Sequence, residues 1–102
     1  MTQDNVNLED IIEKGAIIID VRTPGEYDLG HIKNSLNIPL SNLEKEMSWL
    51  IKDVPIIACC ASGSRSAAAV KILQANGFET VYNGGAWNDL GKIAKGGSCP
   101  VQ

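Results

Sequence analysis

The sequence predicts an α/β fold, a small parallel-stranded sheet flanked by helices on both faces. Two continuous apolar runs rich in isoleucine, Ala16-Ile17-Ile18-Ile19-Asp20-Val21 and Pro55-Ile56-Ile57-Ala58-Cys59, read as strands covered on both sides. Stripes of helical periodicity precede, separate and follow them, and strands alternating with helices imply parallel pairing. The chain has 102 residues, 44% of them apolar, enough to build one core without cofactor or disulfide. A single domain over residues 1–102 is therefore expected, with the Gly-containing segment 95–102 as a loose tail.

Taken in order, Asn7 stands where it can cap a short helix begun by Leu8, Glu9 and Asp10 and stopped by Gly15. The first strand follows at once. From Arg22 to Leu40, Pro24, Gly25, Gly30, Asn34, Asn37 and Pro39 interrupt scattered apolar residues, which predicts a long ordered loop ending in an extended piece at Leu36 to Ile38. Loops of that length in a small domain tend to carry function. Leu43, Met47 and Leu50 suggest a helix begun by Ser41 or Asn42, and the second strand ends just before Cys60. Ser64 to Asn76, with Ala69, Ile72 and Leu73 on one stripe and Gly77 as the stop, is the clearest helix. Thr80-Val81-Tyr82 reads as a third strand, Asn83-Gly84-Gly85 as a turn, and Ala86 to Lys92 as a last helix.

A net charge of -3 and the absence of clustered Lys or Arg give no electrostatic footprint for nucleic acid or for an anionic membrane. Residues 1–7 lack the basic start and apolar run of a secretory signal, and no apolar run is long enough to span a bilayer. Three cysteines, two of them adjacent, make a poor disulfide framework. A cytoplasmic protein with reduced thiols is expected.

Chemistry concentrates at Cys60. A cysteine between a buried strand and a helix start lies where backbone N–H groups converge and the helix dipole is positive, which favours an anion and therefore the thiolate. Gly63 lets the backbone turn sharply, while Ser62, Ser64 and Ser66 offer hydroxyl donors without bulk, and Arg65 adds positive charge. The segment Cys60-Ala61-Ser62-Gly63-Ser64-Arg65 is thus a cup for an anionic group with a nucleophile at its base. Two chemistries use such a cup, attack on sulfur to give a persulfide and attack on phosphorus to give a phosphocysteine.

Asp20-Val21-Arg22, Glu26-Tyr27, Gly30-His31-Ile32, Asn37-Ile38-Pro39, the Cys60 loop and Asn83-Gly84-Gly85 with Trp87 together resemble the motifs of the single-domain rhodanese (thiosulfate sulfurtransferase-like) family, and in the same order. The resemblance runs from about Asn7 to Leu90. It implies a sulfurtransferase whose Cys60 takes a sulfane sulfur from a donor such as thiosulfate and passes it, as a persulfide, to a thiol or cyanide, with no metal or organic cofactor. A six-residue loop is what the family uses for sulfur, whereas its arsenate reductase and phosphatase relatives carry one residue more. A cysteine phosphatase or arsenate reductase and a non-catalytic regulatory module are the competing readings; loop length counts against the first and Cys60 against the second. Where some relatives carry basic residues after the cysteine, Ala61 and Ser62 are uncharged here, leaving Arg65 and backbone donors to hold an anionic donor.

The remaining residues have plainer readings. Cys59, one strand position before Cys60, points the other way and packs. Asp20, Arg22 and His31 are expected to fasten loops by hydrogen bonds, and Trp49 and Trp87 to pack. Arg65 has two readings, meeting the donor or pairing with a buried carboxylate. Adjacent cysteines diverge and no C-x₂-C spacing occurs, so no metal site is expected. Cys99, without apolar periodicity around it, is expected to be accessible in the tail.

Overall fold

The computed structural model describes residues 7–50, 52–93 and 98–99. Its centre is formed by the two isoleucine-rich strands, β1 (Ile17–Asp20) and β4 (Ile56–Cys60), in parallel register from Ile17 opposite Ile56 to Asp20 opposite Cys59. The β3 strand (Leu36–Asn37) flanks β1 and β5 (Val81–Ala86) flanks β4, giving a four-stranded sheet in the order β3-β1-β4-β5, all parallel.

Because successive side chains on a strand alternate in direction, β4 divides its residues between two cores. Ile56, Ala58 and Cys60 join Ile19, Val21, Leu43, Leu73 and Phe78 on one face. Ile57 and Cys59 join Ile18, Ile32 and Leu90 on the other, where Ile11 and Ile12 also pack. The two adjacent cysteines therefore belong to different layers. The first core is covered by α3 (Leu43–Glu46) and α4 (Ser64–Ala75), the second by α1 (Leu8–Glu13) and α5 (Trp87–Ile93). Asn7 caps α1 as its position predicts, its side chain accepting from Asp10 N at 3.1 Å.

Four expectations are corrected. The stretch from Arg22 to Leu40 is not loop throughout; it contains α2 (Pro24–Leu29) and β2 (His31–Ile32). Thr23-Pro24-Gly25-Glu26 is a capping box with proline in the first turn, a helix start legible in the sequence. The helix expected around Leu43, Met47 and Leu50 is only one α turn, flanked by 3₁₀ turns at Leu40–Asn42 and Met47–Trp49. The tail is not loose throughout, since Ser98–Cys99 forms β6, antiparallel to β2 with Cys99 opposite His31. Residues 95–97 and 100–102, and the packing expected of the Trp49 side chain, lie outside what is described.

The fourth concerns Asn83-Gly84-Gly85, which is strand and not turn. It continues β5 through a bulge: Ala58 faces Asn83 but Cys59 faces Gly85, leaving Gly84 as the extra residue. The need for glycine here is steric, since a Cβ on Gly84 would stand 2.8 Å from Ile57 Cγ2 and 2.8 Å from Leu90 Cδ2. Both neighbours are core side chains with little room to move. Gly84→Ala is expected to cost about 1–3 kcal/mol by overpacking, read as a lower urea midpoint; an unchanged midpoint would show that β5 shifts freely.

Candidate active site

Cys60 is the last residue of β4, and α4 begins at Ser64 after three intervening residues. Gly63 makes the turn with φ of +105°, a left-handed conformation that costs a side chain but not glycine. This aims its N–H at the sulfur: Gly63 N lies 2.9 Å from Cys60 Sγ, and Ser66 N lies 3.4 Å from it. Of the three serines expected to surround the anion, Ser66 reaches the sulfur, its Oγ 3.6 Å from Sγ. Ser62 and Ser64 instead lie on the exposed rim with their hydroxyls 3.4 Å apart.

Burial of Cys60 disfavours its thiolate and would raise its pKa. The Ser66 hydroxyl and the N–H groups of Ser66, Ser62 and Gly63 outweigh that, leaving the thiol below its ordinary value. Cys59 is also buried, but Asp20 nearby adds to burial and pushes its pKa far up, Arg22 compensating only in part. Adjacent in sequence, the two thiols thus differ sharply in nucleophilicity.

Asn83 holds the loop from β5. Its Nδ2 donates to Gly63 O at 3.3 Å, and its Oδ1 accepts from Ser66 Oγ at 2.6 Å and from Gly85 N at 2.9 Å. Read as a turn residue, Asn83 was missed as a site residue; its place is set by the bulge, which no local pattern announces.

Asp20 and Arg22 form a buried pair at the carboxyl end of β1, 0% and 4% exposed. Arg22 Nε donates to Asp20 Oδ1 at 2.9 Å and Nη2 to Oδ2 at 2.7 Å, while Nη2 also reaches Gly30 O at 2.7 Å. Trp87 lies against the guanidinium, 4.6 Å from carbon to ring centroid, so it covers the pair. Asn37 Nδ2 joins the ends by donating to Asp20 O at 3.0 Å and Arg22 O at 2.9 Å. His31 stacks on Tyr27 at 3.8 Å, and its Nδ1, 2.8 Å from the acceptor Tyr27 O, must carry a proton.

Arg65 meets a carboxylate, but not a buried one. Its Nη1 and Nη2 donate to Glu26 Oε1 and Oε2 at 2.9 and 3.1 Å, with the two side chains 35% and 38% exposed. Glu26 is the same residue that closes the capping box of α2 through Thr23 N at 3.0 Å. The hydrogen bond from Arg65, with those from Thr23, holds the Glu26 carboxyl down at about 2. Beyond Arg65 an open groove is lined by Val21, Thr23, Pro39, Leu40 and Ser41. Among the described residues, no group of three or more His, Cys, Asp or Glu is gathered to hold a metal ion, and no helix is long and apolar enough to cross a membrane.

A family model for the rhodanese-like domain matches residues 4–88. The chain belongs to the rhodanese-like domain family. Relatives within it include the uncharacterized protein YqhL of Bacillus subtilis, 40% identical over 68 residues, which are 67% of this chain and 54% of that one. A tRNA uridine(34) hydroxylase of Onion yellows phytoplasma is 36% identical over 74% of this chain but only 26% of its own length. The thiosulfate sulfurtransferase GlpE of Ectopseudomonas mendocina is 31% identical over 74% of this chain and 69% of its own. The rhodanese chain thus spans about half of the first of these relatives and about a quarter of the second. A solved rhodanese-related protein from Thermoplasma volcanium superposes with a TM-score of 0.66 at 40% identity, over 78% of this chain and 83% of that one.

The contrast between the two thiols has a direct readout. Iodoacetamide, which reacts with thiolates, is expected to label Cys60 with a midpoint below that of an ordinary thiol measured alongside it, such as the same peptide in the unfolded chain, and to spare Cys59 in the folded protein. Peptide mapping of labelling against pH checks this; a Cys60 midpoint above that of the reference thiol would refute the N–H stabilisation.

Proposed function

We propose that this rhodanese-like chain is a sulfurtransferase, with Cys60 as its nucleophile and residues 61–65 as the loop that receives the donor. The observation that carries the reading is the pair of N–H groups, from Gly63 and Ser66, directed at Cys60 Sγ. Fixed donors of this kind stabilise a thiolate and, after one sulfur is added, a persulfide anion. They need no reorganisation during the reaction.

The reaction runs in two displacements. The Cys60 thiolate attacks the outer sulfur of a sulfane donor; an S–S bond forms at Cys60 as the donor's own S–S bond breaks, and its electron pair departs with sulfite when the donor is thiosulfate. A thiolate or cyanide then attacks the outer persulfide sulfur, giving a new persulfide or thiocyanate and restoring the Cys60 thiolate. The N–H groups that lower the Cys60 pKa favour its ionised form and so lessen the need for a proton base, and neither displacement draws on a cofactor. Cys60 is 0% exposed, so the rim formed by exposed Ala61 and Ser62 must yield as the donor enters. Asp20, Arg22 and His31 serve by fastening the surrounding segments, not by touching substrate.

Intact mass after incubation with thiosulfate or an alkyl persulfide tests the proposal: a gain of about 32 Da, removed by excess dithiothreitol, is expected. Cys60→Ser should abolish the gain. Cys59→Ser should keep it while losing about 1–3 kcal/mol of stability to a buried hydroxyl. No added sulfur with either donor, or phosphate-ester hydrolysis in its place, would overturn the assignment.

A further inference from the structure

The loop from Cys60 to Arg65 carries one charged side chain besides its cysteine, and that charge is already matched. Arg65 gives both terminal nitrogens to the two oxygens of Glu26, at 2.9 and 3.1 Å. Ala61, Ser62, Gly63 and Ser64 contribute no charge. The other guanidinium at this end of the sheet, Arg22, is buried and bound to Asp20. Thiosulfate is a dianion, so its approach to the Cys60 thiolate gathers three negative charges in a cup whose own cation is engaged elsewhere. An organic persulfide, R–S–SH, brings at most one negative charge against the two of thiosulfate. The groove that Arg65 borders is walled by Val21, Pro39 and Leu40, with the hydroxyls of Thr23 and Ser41, and no second charged side chain lines it.

Resting on the sulfurtransferase reading, we propose that Glu26 is a specificity-determining residue: by engaging Arg65 it turns the Cys60 site away from dianionic donors and towards organic persulfides. The favoured step is balanced without a further reagent. The Cys60 thiolate attacks the outer sulfur of R–S–SH, the S–S bond of the donor breaks, Cys60 becomes Cys60–S–SH and R–S⁻ leaves with the electron pair. Glu26 acts through Arg65 and touches neither sulfur. Its placement is not incidental, because the same carboxylate closes the α2 capping box and is thereby fixed in reach of the loop.

Glu26→Gln separates the two duties of this residue. Glutamine retains the capping box and loses the charge, so the fold should persist while Arg65 becomes available. Persulfide loading of Cys60 is to be measured with sodium thiosulfate and with 2-hydroxyethyl persulfide. Glu26→Gln is expected to raise kcat/KM for thiosulfate about fivefold, through KM, with a gain that shrinks in high salt. Loading by the hydroxyethyl persulfide should stay within about twofold, since a donor with at most one negative charge is attracted less by the freed guanidinium than a dianion. Unchanged or slower thiosulfate loading, or an equal rise with both donors, would overturn the proposal.

Two further measurements bear on Glu26 directly. In the unmodified protein, thiosulfate loading should not slow when inert salt is added, because the cation of the loop is already compensated; a marked slowing would contradict the masking of Arg65. Thiosulfate binding by calorimetry should be tighter in Cys60→Ala/Glu26→Gln than in Cys60→Ala. This last comparison needs no turnover, so it judges Glu26 even if the protein forms no persulfide, an outcome that would count against the sulfurtransferase reading alone. Equal affinities would count against Glu26 alone.

Discussion

The buried pair of Asp20 and Arg22 is the interaction on which the rest of the site depends. Taking two charges out of water costs several kcal/mol per ion, and mutual attraction compensates only when the remaining donors and acceptors are also satisfied. Here they are. Asp20 accepts from the Arg22 backbone as well as its side chain, the guanidinium passes a further bond to Gly30 O, and Trp87 covers its face. Among the described residues, no buried side-chain nitrogen or oxygen lacks a partner. Such a pair contributes little net stability, but losing either partner, or the Gly30 carbonyl, would leave a buried charge short of a bond, which ties the end of β1 to the end of α2.

That arrangement reaches the nucleophile in two links. Arg22 fixes Gly30 at the end of α2, whose first turn presents Glu26 to Arg65 at the head of α4. From the other side, the bulge in β5 brings Asn83 onto Gly63 O and Ser66 Oγ. The cysteine loop is therefore clamped between a helix that follows β1 and a strand that follows α4. Its N–H groups are fixed before any donor arrives, which is the condition under which such groups are worth most. The same clamp sets the electrostatics of the entrance, because the residue that braces Arg65 is an acid.

The layers, the two central strands, the helix after the cysteine and Cys60 as nucleophile candidate were legible in the sequence for local reasons. Short β-branched runs of isoleucine bounded by turn signals read as strands buried on both faces, Asn7 and Gly77 mark helix ends, and a cysteine between strand and glycine-bearing helix start needs no distant contact to be noticed. Period-two alternation likewise separated Cys59 from Cys60. Even α2 was written locally, in Thr23-Pro24-Gly25-Glu26, although the glycines and prolines around it argued for loop. The glycines of Asn83-Gly84-Gly85 misled in the same way, since glycine signals a turn unless something tall stands over it, and of the two side chains over Gly84, Ile57 is distant in sequence while Leu90 is brought back by the docking of α5.

What the tertiary structure alone decided is which groups meet. The partner of Arg65 lies 39 residues away, and the groups that Asn83 meets around the cysteine, Ser66 and Gly63, lie 17 and 20 residues away. The sequence by itself determined the chemistry on offer, a thiol, a turn of N–H donors and one guanidinium, because these are properties of neighbouring residues. Whether that guanidinium faces a donor or an acid depends on how α2 is docked against α4, and docking is settled by the buried pair at the end of β1, a long-range constraint that no local pattern records.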